Sequence, residues 1–151
     1  KMNKEVFDRN HILFDSNART KEEAFQAIAR VAYDAGFIDD EYAYFRGMCM
    51  REKEVTTGFQ DGIAIPHAKG EACLKPGIFL VKFEHPIEWK SLDGSPVHVA
   101  LGLTIPFGGE TEHLQILSRL ARKMVHEEFR NALTSSNDVD TLYQTIAEIE
   151  L

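Results

Sequence analysis

Apolar positions recur at helical spacing early in the chain. Ala24, Ala27, Ile28, Val31, Ala32 and Ala35 make one face of a 3.6-residue period. Thr20 and Glu23 open that stripe with capping-box spacing, and Gly36 follows it as a stop, so a helix is predicted between them. A second helix is expected from Asp39 or Asp40 through Tyr42 and Phe45 toward Arg51. Ahead of both, Val6 to Phe14 reads as an edge strand or an extended lead-in.

The period then shortens. Gly62-Ile-Ala-Ile-Pro66 is a short apolar strand ended by proline, and Gly77 to Phe83 is rich in β-branched and aromatic residues. Asp93-Gly94 signals a turn, and Val97 to Ile105 is a further strand closed by Pro106 and a Gly108-Gly109 loop. Helical spacing returns at Leu114, Leu117, Ala121, Met124 and Val125, behind an acidic start at Glu110 and Glu112. Shorter helices are expected over Glu127 to Leu133 and Asp138 to Glu148. No internal repeat, low-complexity tract or linker interrupts this order. Helices first, strands in the middle and helices last predict a single α/β domain whose mixed sheet is covered by helices. A chain of 151 residues suits one domain with a full core.

Composition narrows the class. With 44% apolar and 27% charged residues the chain reads as an ordinary globular protein. Its two cysteines, Cys49 and Cys73, have no CxxC spacing, which suggests a reducing compartment such as the cytoplasm. No apolar run approaches the roughly 20 residues of a membrane span, and residues 1–10 carry no apolar signal-peptide core. A net charge of −7 argues against non-specific nucleic-acid binding. It suits a basic protein partner, and equally a charge balance that only maintains solubility.

Three residues are candidates for chemistry. His67 follows Pro66 at the end of an apolar strand, where α/β sheets assemble their sites. The proline stiffens the backbone entering it. An imidazole with an ordinary pKa near 6.5 is largely neutral and nucleophilic at pH 7, and protonation makes it a good leaving group, which suits a phosphoryl carrier. Local context equally admits a loop histidine bonded to backbone. His113 sits in the first turn of a predicted helix, where free N–H groups and the dipole favour anions. It could donate to a phosphoryl oxygen or be a surface residue. Arg51 ends a helix, and its guanidinium fork matches phosphate geometry. Glu52, Lys53 and Glu54 beside it also allow a surface ion-pair cluster.

Other constellations are weak. His126 lies about 220° around a continuous helix from His113, so the two cannot form one metal pair. His85 and His98 have no metal-ligand spacing, and no GxxxxGK[ST] loop occurs. Ser91 reads as part of a turn, Asp61 likewise, and Trp89 and Phe107 as buried or interface aromatics.

Taken together, Arg51-Glu52-Lys53, Thr56-Thr57-Gly58-Phe59, Gly62-Ile-Ala-Ile-Pro-His67-Ala-Lys69, Trp89-Lys-Ser-Leu-Asp-Gly94, Glu112-His113-Leu114 with Leu117 to Arg122, and Glu127-Glu128-Phe129-Arg130 resemble a known family. It is the IIA domain of the fructose/mannitol class of the bacterial phosphoenolpyruvate-dependent sugar phosphotransferase system. The resemblance runs from about residue 4 to 149, with 16 residues from Arg51 to His67 and 46 from His67 to His113. It implies an α/β fold with a five-stranded mixed sheet flanked by helices. It places the phosphorylated histidine on His67, the second active-site histidine on His113 and the active-site arginine on Arg51. It implies a donor, the histidine phosphocarrier protein HPr, and an acceptor, a cysteine on a IIB domain, with no metal or organic cofactor. Thr56 to Phe59 and Trp89 to Gly94 resemble the sugar-transport branch. The alternative is a regulatory interaction module of the same fold, in which phosphorylated His67 is a switch.

Overall fold

Local chemistry starts and stops the first two helices. In the computed structural model, which describes residues 4–149, helix α1 spans Lys21–Asp34 and helix α2 spans Glu41–Glu54. Thr20 Oγ1 accepts the Glu23 amide at 3.2 Å, and Glu23 returns a carboxylate oxygen to the Thr20 amide at 3.2 Å. Such a cap is worth about 1 kcal/mol. Gly36, at φ 82°, turns the chain out of α1 in the left-handed region where glycine has no Cβ penalty. Asp40 caps α2 by accepting the Ala43 amide at 3.0 Å.

Six strands form one mixed sheet among the described residues: β1 (Ile12–Asp15), β2 (Gly58–Gln60), β3 (Ile63–Ala64), β4 (His67–Lys69), β5 (Gly77–Ile87) and β6 (Val97–Ile105). The order is β1-β5-β6-β3-β2, with β4 beside β6. This path is the mixed five-stranded sheet that the family resemblance implies, and β4 is a short addition to it. β5 and β6 run antiparallel, whereas β1 joins β5, and β3 and β4 join β6, in parallel. The lead-in resolves into a short 3-10 turn, Arg9–His11, followed by edge strand β1.

One boundary differs from the expectation. The apolar strand stops at Ala64, short of Pro66, but pairing along the sheet does not stop with it. Proline has no N–H to give a ladder, but its carbonyl accepts the Leu103 amide at 3.0 Å, and the chain resumes pairing as β4 with His67 opposite Leu103. His67 therefore follows one short strand, β3, and opens another, β4.

The sheet is covered on both sides. Phe79 and Val81 face one way, against Phe25, Ile28, Tyr44 and Met48 of α1 and α2, with fully buried Trp89. Ile78 and Leu80 face the other way, as the two-residue period of a strand requires. Their side is closed by α3 (Glu110–Met124), α4 (Glu127–Ser135) and α5 (Val139–Ala147) through Ile116, Leu120, Leu133, Leu142 and Ile146. Two buried cations tie this layer down. Lys82 donates to the carbonyls of Leu133, Thr134 and Ser136 at 3.0, 3.0 and 2.6 Å, satisfying the end of α4. Arg130 donates to Asp61 at 2.7 Å and to the Met124 carbonyl at 2.6 Å. His126 occupies the N-terminal boundary position of α4, without a side-chain capping bond, and so lies off the helix that carries His113. No helix of the described residues is long and apolar enough to cross a membrane.

Candidate active site

His67 is held on both its backbone and its ring. Strand β4 fixes the backbone against β6, and the ring Nδ1 lies 2.9 Å from the Ile65 carbonyl. A carbonyl can only accept, so Nδ1 carries the proton and Nε2 keeps its lone pair. Burial pushes the His67 pKa below the usual 6.5, and the Arg51 charge adds to that, against the Ile65 carbonyl, Glu52 and Glu54. The ring is therefore neutral at pH 7, the nucleophilic form.

His113, in the first turns of α3, sits with its ring centroid 5.3 Å from that of His67 and the planes tilted by 40°. Burial, then the proximity of His67, lowers its pKa to about 4. A neutral ring still offers one N–H. The seating of α3 through Ile116, Leu120 and Met124 holds it there.

Arg51 lies in the last turn of α2 and donates Nη1 to the Val55 carbonyl at 2.8 Å. It shares an open surface cavity of about 300 Å³ with His67, Glu54 and Lys69. The fold thus places His67 beside His113 and on the same cavity as Arg51. The ion-pair cluster that the neighbouring sequence allowed for Arg51 takes a different form: Glu52 turns inward to Thr57, and Arg51 bonds a carbonyl. The wall of the site includes a pair that spacing did not indicate, Lys69 with Glu110 at 3.7 Å, which joins β4 to the start of α3.

Apolar side chains stand out around these groups. Met50 lines the cavity and is 57% exposed, while Phe107 and Leu114, six residues before and one after His113, are 66% and 65% exposed. The other histidines serve elsewhere. His11 is buried, stacked on Phe79 with Nδ1 2.9 Å from the Ile78 carbonyl, and His85 lies 3.3 Å from Glu84. Among the described residues no group of three or more His, Cys, Asp or Glu side chains is placed to hold a metal ion.

Residues 5–149 match the family described as phosphoenolpyruvate-dependent sugar phosphotransferase system, EIIA 2. The chain is 36% identical over 130 residues to the PTS system fructose-specific EIIA component of Haloferax volcanii, which covers 86% of this chain and 84% of that protein. Its fold superposes on the crystal structure of nitrogen regulatory protein IIA-Ntr from Neisseria meningitidis with a TM-score of 0.84, at 24% identity over 94% of this chain and 97% of that one. It also superposes on enzyme IIAMTL from Escherichia coli, solved by NMR in complex with phosphorylated enzyme IIBMTL, with a TM-score of 0.77 at 22% identity over 93% and 96%. The chain belongs to the EIIA 2 family, the fructose/mannitol class of IIA domains, and is a phosphoryl-transfer component of the sugar phosphotransferase system.

Proposed function

We propose that His67 carries the phosphoryl group, taking it from a histidine of HPr and passing it to a cysteine of a IIB domain during uptake and phosphorylation of a fructose- or mannitol-type sugar, on the cytoplasmic side of the membrane. The observation that carries this reading is the ring of His67, tied at Nδ1 to the Ile65 carbonyl so that Nε2 keeps its lone pair, with the His113 ring 5.3 Å away.

In the first step the Nε2 lone pair attacks phosphorus in line, and the phosphorus–nitrogen bond to the donor ring breaks as the new one forms. Nδ1 keeps its proton, so the phosphorylated ring is cationic, and the Ile65 carbonyl stabilises that form. The same positive charge makes the ring a good leaving group in the second step. There a IIB thiolate attacks, the Nε2–phosphorus bond breaks and neutral His67 is restored. Arg51 has five donors, so the one spent on Val55 leaves others for phosphoryl oxygens. The neutral His113 N–H supplies a further donor. The exposed Met50, Phe107 and Leu114 offer the apolar centre that a protein partner needs around such a polar site.

Labelling from phosphoenolpyruvate through enzyme I and HPr tests this. The wild-type chain takes up phosphate and His67→Ala does not. Labelling of His67→Ala at the wild-type rate overturns the assignment. A regulatory reading is favoured by the likeness in fold to the nitrogen regulatory protein. It predicts labelling of His67 with no onward transfer to any IIB cysteine.

A further inference from the structure

Glu52 follows Arg51 on α2 but does not join it at the surface. Its side chain is only 7% exposed. One carboxylate oxygen accepts the Thr57 amide at 2.9 Å and Lys21 Nζ at 3.2 Å, and the other accepts the Thr57 hydroxyl at 2.5 Å. The Thr57 oxygen in turn accepts the indole N–H of buried Trp89 at 3.3 Å. Both elements of the site hang from the short loop this network grips. The Thr57 carbonyl accepts the Ile65 amide at 3.0 Å, and the Ile65 carbonyl accepts His67 Nδ1–H. Two residues before Thr57, the Val55 carbonyl accepts Arg51.

We infer that Glu52 is a positioning residue for phosphoryl transfer: by holding Thr57 at two points it fixes the backbone that orients His67 and anchors Arg51. The inference rests on the reading of His67 as the carrier. Glu52 reaches no transferred oxygen; it acts through Thr57 and Ile65. The network requires an acceptor at every carboxylate position. Thr57 Oγ1 has one proton to give and already accepts from Trp89. A glutamine amide turned toward it would leave that proton without a partner, and one turned the other way would face the Thr57 amide and Lys21 donor to donor. Glu52→Gln therefore loosens the loop while keeping the side chain's size.

The test uses the full chain with Glu52→Gln, Thr57→Val and Thr57→Ser. It reads the labelling rate from HPr and the imidazole 15N shifts of His67, which report the tautomer. We expect Glu52→Gln and Thr57→Val to slow labelling roughly 10–100-fold, the loss typical when outer partners of metal-ligating histidines are removed. We expect both to convert the single Nδ1–H form into a mixture, and Thr57→Ser to restore both readouts. Labelling at the wild-type rate with an unchanged tautomer in folded Glu52→Gln and Thr57→Val overturns the inference. So does slow labelling that tracks lost stability while the tautomer stays fixed. If Glu52→Gln does not fold, Thr57→Val against Thr57→Ser decides the matter by the same two readouts. If the wild-type chain takes no label while the variants still shift the tautomer, the carrier reading fails and the positioning of the ring stands.

Discussion

The rings of His67 and His113 meet at 5.3 Å, tilted by 40°, although 46 residues separate them in the chain. They are brought together because β4 and the start of α3 converge on the same end of β6, which pairs with one and leads into the other. Neither ring tolerates a proton well there. Burial lowers both pKa values, and the proximity of His67 lowers that of His113 further. A phosphoryl group on His67 reverses that balance by setting negative charge beside His113. We therefore expect the His113 pKa to rise from about 4 on phosphorylation of His67, measured by NMR titration of the two forms. An unchanged value would place His113 out of contact with the phosphoryl group.

Removing the two proposed donors should slow transfer without abolishing it. His113→Ala and Arg51→Ala are each expected to cost about 3–4 kcal/mol of barrier, or about 10²–10³ in rate. Rapid-quench labelling from HPr gives these rates. Arg51→Lys should recover only part of the loss, because an ammonium cannot hold the Val55 carbonyl and present a planar fork at once.

The depressed histidines also make stability depend on pH. In the unfolded chain His113 binds a proton near pH 6.5, whereas in the folded chain it does so only near 4. Its contribution is complete above about pH 6.5 and is lost progressively as pH falls toward about 4, because the unfolded state takes up the proton first. Urea denaturation across that window should show falling stability, with a shallower fall in His113→Asn. An equal slope in both proteins would remove His113 as its source.

A remote variant separates folding from chemistry. Lys82→Met leaves three carbonyls at the end of α4 without their ammonium, and the cost should be about 1–3 kcal/mol for each acceptor left buried and unpaired. The folded fraction should take label at the wild-type rate, since Lys82 pairs with Val99 in the sheet and lies outside the cavity shared by His67 and Arg51. Urea denaturation measures the first effect and labelling of the folded protein the second.

Much of this fold is local and therefore legible in the chain. The Thr20–Glu23 capping box, the stripe from Ala24 to Ala35 and the stop at Gly36 bracket one helix and its two ends, and the structure has α1 in that place. The β-branched run of β5 and the apolar run of β6 read as strands because both faces of a central strand are buried. The spacing of Arg51, His67 and His113 was likewise present in the sequence as a resemblance. What the sequence could not determine was pairing and aim. Pro66 reads as a terminator, and only the carbonyl it offers to Leu103 shows that the chain continues along β6 as β4. Glu52 reads as one more surface charge, and only Thr57, five residues on, and Trp89, beyond it across the fold, turn it inward. The reason is physical. Periodicity and capping depend on neighbours within a turn, whereas the tautomer of His67 and the seat of Arg51 depend on carbonyls whose positions exist only once the sheet has formed.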